Sequence, residues 1–186
     1  MLKEGQIMTR QAPHVERGYV HVYTGNGKGK TTAALGLALR AAGAGLKVYF
    51  AQFIKAGRSS EIAALERHAD RITVRQLGRG GFLRGAPDDA DAAAALEGLC
   101  QIRDAIRSGG YQMVVLDEAS VAIQCGLFSV EDLLEWVDSL PEGVELVITG
   151  RYAPARLVER ADLVTEMVEI KHYYRRGVLA RDGIER

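Results

Sequence analysis

Ten residues constrain this chain more than any others: Tyr23-Thr24-Gly25-Asn26-Gly27-Lys28-Gly29-Lys30-Thr31-Thr32. A short β-rich run, Gly18 to Tyr23, precedes them, and an Ala/Leu-rich run, Ala33 to Ala44, follows. Strand, glycine-rich turn ending in Gly-Lys-Thr, then helix is the layout of a phosphate-binding loop. The glycines let successive N–H groups curl inward on an anion, and the next helix adds its dipole and unpaired N–H groups. Lys30 supplies a mobile cation, and the Thr31 hydroxyl is placed to help hold Mg²⁺. One position departs from the usual spacing. Thr24 stands where the first glycine is expected, and Gly25 and Gly27 lie inside the loop instead.

The rest of the chain alternates strand-like and helix-like runs. Tyr19 to Tyr23 predicts a first strand, with His21 as a packed side chain at the edge of the core. Thr31 to Ala44 predicts a helix that is apolar nearly all round and therefore covered on several sides, ended by Gly43 and Gly45. Lys47 to Phe53 predicts the second strand. Lys55 and Arg58 leave its carboxyl end, where ligands gather in parallel α/β sheets; they read either as phosphate contacts or as solvated loop cations. A short helix from Ser60 to about His68, capped by Ser59 or Ser60, and a strand from Ile72 to Leu77 come next.

Gly78 to Gly85 holds four glycines around Phe82 and Leu83. It reads as a lid for a flat apolar ligand, or as a loop whose two large side chains tuck inward. Asp88 to Ser108 predicts a long helix with Pro87 near its first position and acids in its first turn. Met113 to Glu118 is an apolar strand ending in two carboxylates. Beside a phosphate loop, one of Asp117 and Glu118 binds Mg²⁺, directly or through water, and the other orients water or metal. Ser129 caps a helix to Leu140 with Trp136 on its apolar side. Val144 to Thr149 is another strand, and Arg151 leaves it toward the same edge as the loop. A short helix from Pro154 to Arg160 precedes a last strand, Leu163 to Ile170, suited to a sheet edge.

These alternations predict an α/β, RecA-like P-loop NTPase fold in three layers: a mainly parallel sheet with helices on both faces. Residues 1–17 read as a flexible arm and 18–186 as a single domain. Lys+Arg and Asp+Glu each total 24, so the formal net charge is zero, which argues against broad attraction to nucleic acid or anionic membranes. No run approaches the roughly 18 apolar residues of a membrane span, and a cytoplasmic protein is expected. Cys100 and Cys125 are too few for a disulfide framework or a zinc site and read as small buried fillers.

Several segments together carry a family resemblance. They are Thr24 to Ala34, Gln52 to Gly57, Val114 to Glu118, Ile148 to Arg151, Ala161 to Glu166, Lys171-His172, Gly177 and Gly183-Ile184. This set, from about residue 18 onward, resembles the ATP:corrinoid adenosyltransferases of the cobalamin type. The Thr24 spelling of the loop is itself a mark of that family.

The resemblance implies an enzyme that moves the adenosyl group of ATP onto the cobalt(I) of a reduced corrinoid, in adenosylcobalamin biosynthesis or salvage. Cobalt attacks the ribose 5′-carbon and triphosphate leaves. The nucleophile then belongs to the corrinoid, and the protein supplies position and charge. Lys30, Thr31 and Glu118 are the implied catalytic groups. Gly25, Asn26, Gly27, Lys28, Gly29, Lys30, Thr31 and Thr32 with Lys55 and Arg151 would bind ATP. Phe82 and Leu83 would cover the corrinoid, although Arg84 stands where well-known members carry Trp. Mg²⁺ would rest on Thr31, Glu118 and Asp117. The family also implies a homodimer and a flavodoxin-type or other flavoprotein reductant. The motifs alone leave open an ordinary P-loop ATPase or kinase cleaving at the γ-phosphate, or a non-catalytic corrinoid carrier.

Overall fold

A computed structural model describes residues 16–54, 59–77 and 87–185. In chain order they form β1 (Val20–Thr24), α1 (Lys30–Gly43), β2 (Val48–Phe53), α2 (Ser60–Leu65) and β3 (Ile72–Leu77). Next come α3 (Asp89–Arg107), β4 (Met113–Asp117), α4 (Ala119–Gln124), α5 (Val130–Asp138), β5 (Glu145–Thr149), α6 (Ala155–Arg160) and β6 (Leu163–Glu166). Single 3₁₀ turns occupy Glu66–His68 and Tyr173–Arg176. The six strands pair in the order β3-β2-β4-β5-β1-β6, and every pair is parallel. Parallel neighbours need a crossover between them, and the helices supply it. The expected α/β P-loop NTPase architecture is the one observed.

Alternation along the strands splits the core into two faces. On β2, Val48 and Phe50 join Ala34, Ala38 and Ala41 of α1 with Val115 and Val147. The intervening Tyr49, Ala51 and Phe53 join Ile102 of α3, Leu133 of α5 and Leu157 of α6. All six β2 residues are buried, as a central parallel strand requires.

Several local expectations change. Helix α1 is covered along one stripe only: Ala34, Ala38 and Ala41 are buried, whereas Leu39 is 44% exposed. Alanines at that spacing let the helix lie close on the sheet, so contact is narrow. Asp88 rather than a first-turn residue caps α3, sharing a capping box with Asp91, and Pro87 lies outside the helix. The box at Ser129 and Asp132 and the burial of Trp136 are as expected. Cys100 is exposed, lining a groove between α3 and α5, and Cys125 is partly exposed at the end of α4, so neither is a buried filler. The short helix α4 was not apparent in the sequence.

The last strand sits at the edge, beside β1, but stops at Glu166. There the chain turns onto the phosphate loop. The Met167 N–H donates to the Thr24 carbonyl (2.9 Å), and the Met167 carbonyl accepts from the Gly27 N–H (2.6 Å).

Candidate active site

The loop between β1 and α1 lies at the carboxyl edge of the sheet, where strand order places β5 between β1 and the carboxylate strand β4. A built β-carbon on Gly27 would stand 2.7 Å from the Met167 carbonyl oxygen and 2.9 Å from backbone carbons of Met167 and Val168. One on Gly25, where φ is +91°, would stand 2.5 Å from the same oxygen. These glycines therefore permit close approach of the post-β6 chain as well as curling of the loop. Thr24 has its own task. Its hydroxyl accepts the Ala153 N–H (3.3 Å), tying the loop to the segment that leaves β5.

Lys30 begins α1 and is 94% buried, with 6% relative exposure. Its Nζ donates to the carbonyls of Gly25 and Gly27, each at 2.7 Å. Two of its three donors thus brace the loop, and the third is available to an anion. Burial pulls its pKa below the ordinary value of 10.5, the Arg151 charge pulls the same way, and Glu118 and Asp117 oppose them. The electrostatic reach of Arg151 and the two carboxylates places all four groups in one neighbourhood.

Glu118 follows β4 in the left-handed conformation, φ 60° and ψ 20°. Ile54 after β2 (φ 65°) and Tyr152 after β5 (φ 58°) share that backbone state. Three non-glycine residues with positive φ thus stand just beyond the carboxyl ends of three central strands. Such conformations cost of order 1 kcal/mol each and persist where surrounding contacts over-determine them. At Glu118 those contacts are visible. Its N–H donates to Thr149 Oγ1 (3.0 Å), and the Thr149 hydroxyl donates to Asp117 Oδ1 (2.8 Å). Gln52 Nε2 donates to Asp117 Oδ2 (2.9 Å), and Gln76 Nε2 donates to Gln52 Oε1 (3.0 Å).

The result is an open cleft of about 290 Å³ lined by Gly27 to Thr32, Glu118 and Arg151, with His172, Ile184 and Glu185 closing its far wall. Most of the expected phosphate-site residues therefore meet in one place. Gly25 serves from beneath as a Lys30 acceptor, and Asn26 is exposed beside the cleft. Asp117 stands behind it, 1% exposed, each carboxylate oxygen accepting from a neighbour. Lys55, Arg58, Phe82, Leu83 and Arg84 lie outside the described residues.

His172 and Ile184 entered the sequence reading only as part of the family resemblance and Glu185 not at all; none of the three was assigned to the site. They lie far along the chain from the loop, and no local spacing marks them. His172 Nδ1 accepts the Tyr174 N–H (3.1 Å), which orients the ring. Glu185 is turned to its own segment: its carboxylate accepts the Arg181 N–H (2.8 Å), the Arg181 guanidinium and the Tyr173 hydroxyl. Thr149 and Gln52 were also missed as a pair, although a Gln inside an apolar strand is a legible signal of a buried partner.

The donor set suits a hard cation. The Thr31 hydroxyl and Glu118 carboxylate share the cleft, and Mg²⁺ takes oxygen ligands, keeping waters and substrate phosphates in its shell. Among the described residues no group of three or more His, Cys, Asp or Glu side chains gathers into an all-protein cage.

Comparison with known proteins supplies the family. The sequence profile of the family "ATP:corrinoid adenosyltransferase BtuR/CobO/CobP" matches residues 16–186. The chain belongs to the ATP:corrinoid adenosyltransferases. A corrinoid adenosyltransferase of Pseudomonas aeruginosa is 34% identical over 171 residues, covering 91% of this chain and 84% of the relative. One from Escherichia coli (strain K12) is 36% identical over 172 residues, covering 91% and 86%. Corrinoid adenosyltransferase CobA of Salmonella typhimurium is 34% identical over 171 residues, with the same coverages. As an ATP:corrinoid adenosyltransferase the protein is a transferase. No helix among the described residues is long and apolar enough to cross a membrane.

Proposed function

We propose that this enzyme transfers the 5′-deoxyadenosyl group of ATP to the cobalt(I) of a reduced corrinoid and releases triphosphate. The observation that carries the reading is the cleft itself, which sets Lys30, Thr31, Glu118 and Arg151 against the glycine loop. Cobalt(I) donates an electron pair to the ribose 5′-carbon, the carbon–oxygen bond breaks, and triphosphate departs with that bond's electrons. No protein nucleophile is required. Lys30, Arg151 and the loop N–H groups neutralise charge growing on the leaving group, the kind of preorganised stabilisation worth roughly 3 kcal/mol per donor. Asn26, Lys28 and Thr32 are proposed to complete the nucleotide contacts, together with Lys55, which follows β2 in the sequence.

Thr31 and Glu118 are the proposed direct Mg²⁺ ligands, and Asp117 supports them from behind. Bound there, the ion would polarise and shield the phosphate oxygens. Phe82 and Leu83 are proposed to contact the corrinoid. The same reading places the enzyme in the cytoplasm as a homodimer of single-domain subunits, supplied with electrons by a flavoprotein.

The test is anaerobic incubation with ATP, Mg²⁺ and chemically reduced corrinoid. A light-sensitive cobalt–carbon product and stoichiometric triphosphate are expected. ADP and phosphate formed without corrinoid would identify a γ-phosphate ATPase instead, and tight corrinoid binding without turnover would identify a carrier.

A further inference from the structure

We infer that Thr149 is a positioning residue: backed by Asp117, Gln52 and Gln76, it pins the Glu118 backbone in its left-handed state and thereby fixes the Glu118 carboxylate in the phosphate cleft. The inference rests on the role proposed above for Glu118.

The four side chains sit in register across four strands. Gln76 of β3 pairs with Gln52 of β2, which pairs with Asp117 of β4, and Thr149 ends the adjoining β5. Hydrogen bonds of 3.0, 2.9 and 2.8 Å join them in that order, and the chain ends at 3.0 Å on the Glu118 N–H. Gln52, Asp117 and Thr149 are each at most 1% exposed. A ladder of buried polar groups is retained only when its members satisfy one another, and it then admits one arrangement. Thr149 is the hinge of this arrangement because its hydroxyl alone both donates to Asp117 and accepts from Glu118. Its other neighbour is Gly150, at φ +146°, where a β-carbon would stand 2.7 Å from Ser120 Cβ. The end of β5 is therefore seated against α4, the helix that Glu118 begins.

A merely structural role for Thr149 predicts lost stability alone. The positioning role predicts more. In Thr149→Val, which keeps the shape and removes the hydroxyl, hydrogen exchange at the Glu118 amide should accelerate. The Mg²⁺ concentration that half-saturates tight ATP binding should rise about tenfold, the lower end of what loss of a ligand's supporting hydrogen bond produces. Thr149→Ser should restore both. In a Glu118→Gln background, Thr149→Val should add no further shift in Mg²⁺ dependence, because the group it orients no longer acts on the ion.

Equal behaviour of the Val and Ser variants, or full additivity with Glu118→Gln, would overturn the inference. Should Thr149→Val not fold, Gln76→Met at the half-buried outer end of the ladder should give a smaller shift in the same direction; no shift would again overturn it. Both readouts are binding and exchange measurements. If product analysis gave ADP, the adenosyl-transfer reading would fall while these results still decided the role of Thr149.

Discussion

Lys30 is the residue at which packing and chemistry meet. A free lysine would keep its proton to about 10.5, whereas burial and then Arg151 lower the folded value. Between the two values the unfolded chain holds the extra proton, so this group makes stability rise with pH across that window. Denaturant unfolding followed up to pH 10.5 should show the rise in the native protein, and Lys30→Met should flatten it. Triphosphate beside the ammonium acts in the opposite direction and favours its charged form. ATP binding on the alkaline side should therefore take up protons, seen as a binding enthalpy that changes with the ionisation heat of the buffer. An unchanged enthalpy across buffers would count against this account. The role of Lys30 in the loop was legible from three residue types in sequence; its two carbonyl acceptors were not, since they depend on how the loop curls.

Among elements, the phosphate loop and the chain beyond β6 behave as one unit. The Gly27 N–H to Met167 carbonyl bond, at 2.6 Å, joins them, and the space around Gly27 leaves no room for a methyl group. Gly27→Ala should push the segment at Met167 and Val168 away. The expected cost is about 1–3 kcal/mol of stability, typical of overpacking against backbone, together with weaker ATP binding. Urea unfolding and ATP titration of the same variant check both parts; a variant with native stability and affinity would show that the segment yields without cost.

Element-level legibility followed length and periodicity. Strands β2 and β4, apolar and bounded by turns, and the capped α5 are where the sequence puts them. Helix α4 is as short as α2 and α6 but has neither the serine at the N-cap of α2 nor the proline that precedes α6 to mark its start, and it lies against the end of β5 at Gly150. Strand β6 was expected to reach Ile170. It ends at Glu166 because hydrogen bonds to the loop claim Met167.

For the whole molecule, the decisive feature is that both ends of the described chain contribute to one sheet edge. β1 carries the loop, and the segment after β6 returns to form the far wall with His172, Ile184 and Glu185. That wall lies beyond the last strand, most residues of 171–185 are exposed, and none belongs to either core, so the sheet and its two cores do not depend on it. Deleting residues 171–186 should leave a cooperative unfolding transition and the native far-ultraviolet circular dichroism. ATP affinity, read by equilibrium binding, should fall by about tenfold or more, as expected when a contact to a charged ligand worth 1.5–3 kcal/mol is lost. Unchanged affinity would show that the wall bounds the cleft without touching the nucleotide.

The sequence by itself determined the phosphate loop, the alternation that makes a parallel sheet, the carboxylates at the end of β4 and the family. Each of these is written in neighbouring residues: glycine spacing sets a turn, a period of two sets a strand, and a run of matching segments sets a lineage. Tertiary structure alone decided the strand order, the return of the C-terminal segment to the cleft, and the meeting of Thr149 with Asp117 and Glu118. Those contacts join residues that no local rule relates. They exist because β4 and β5 pair in the sheet and bring their buried polar ends together, where each needs a hydrogen-bond partner.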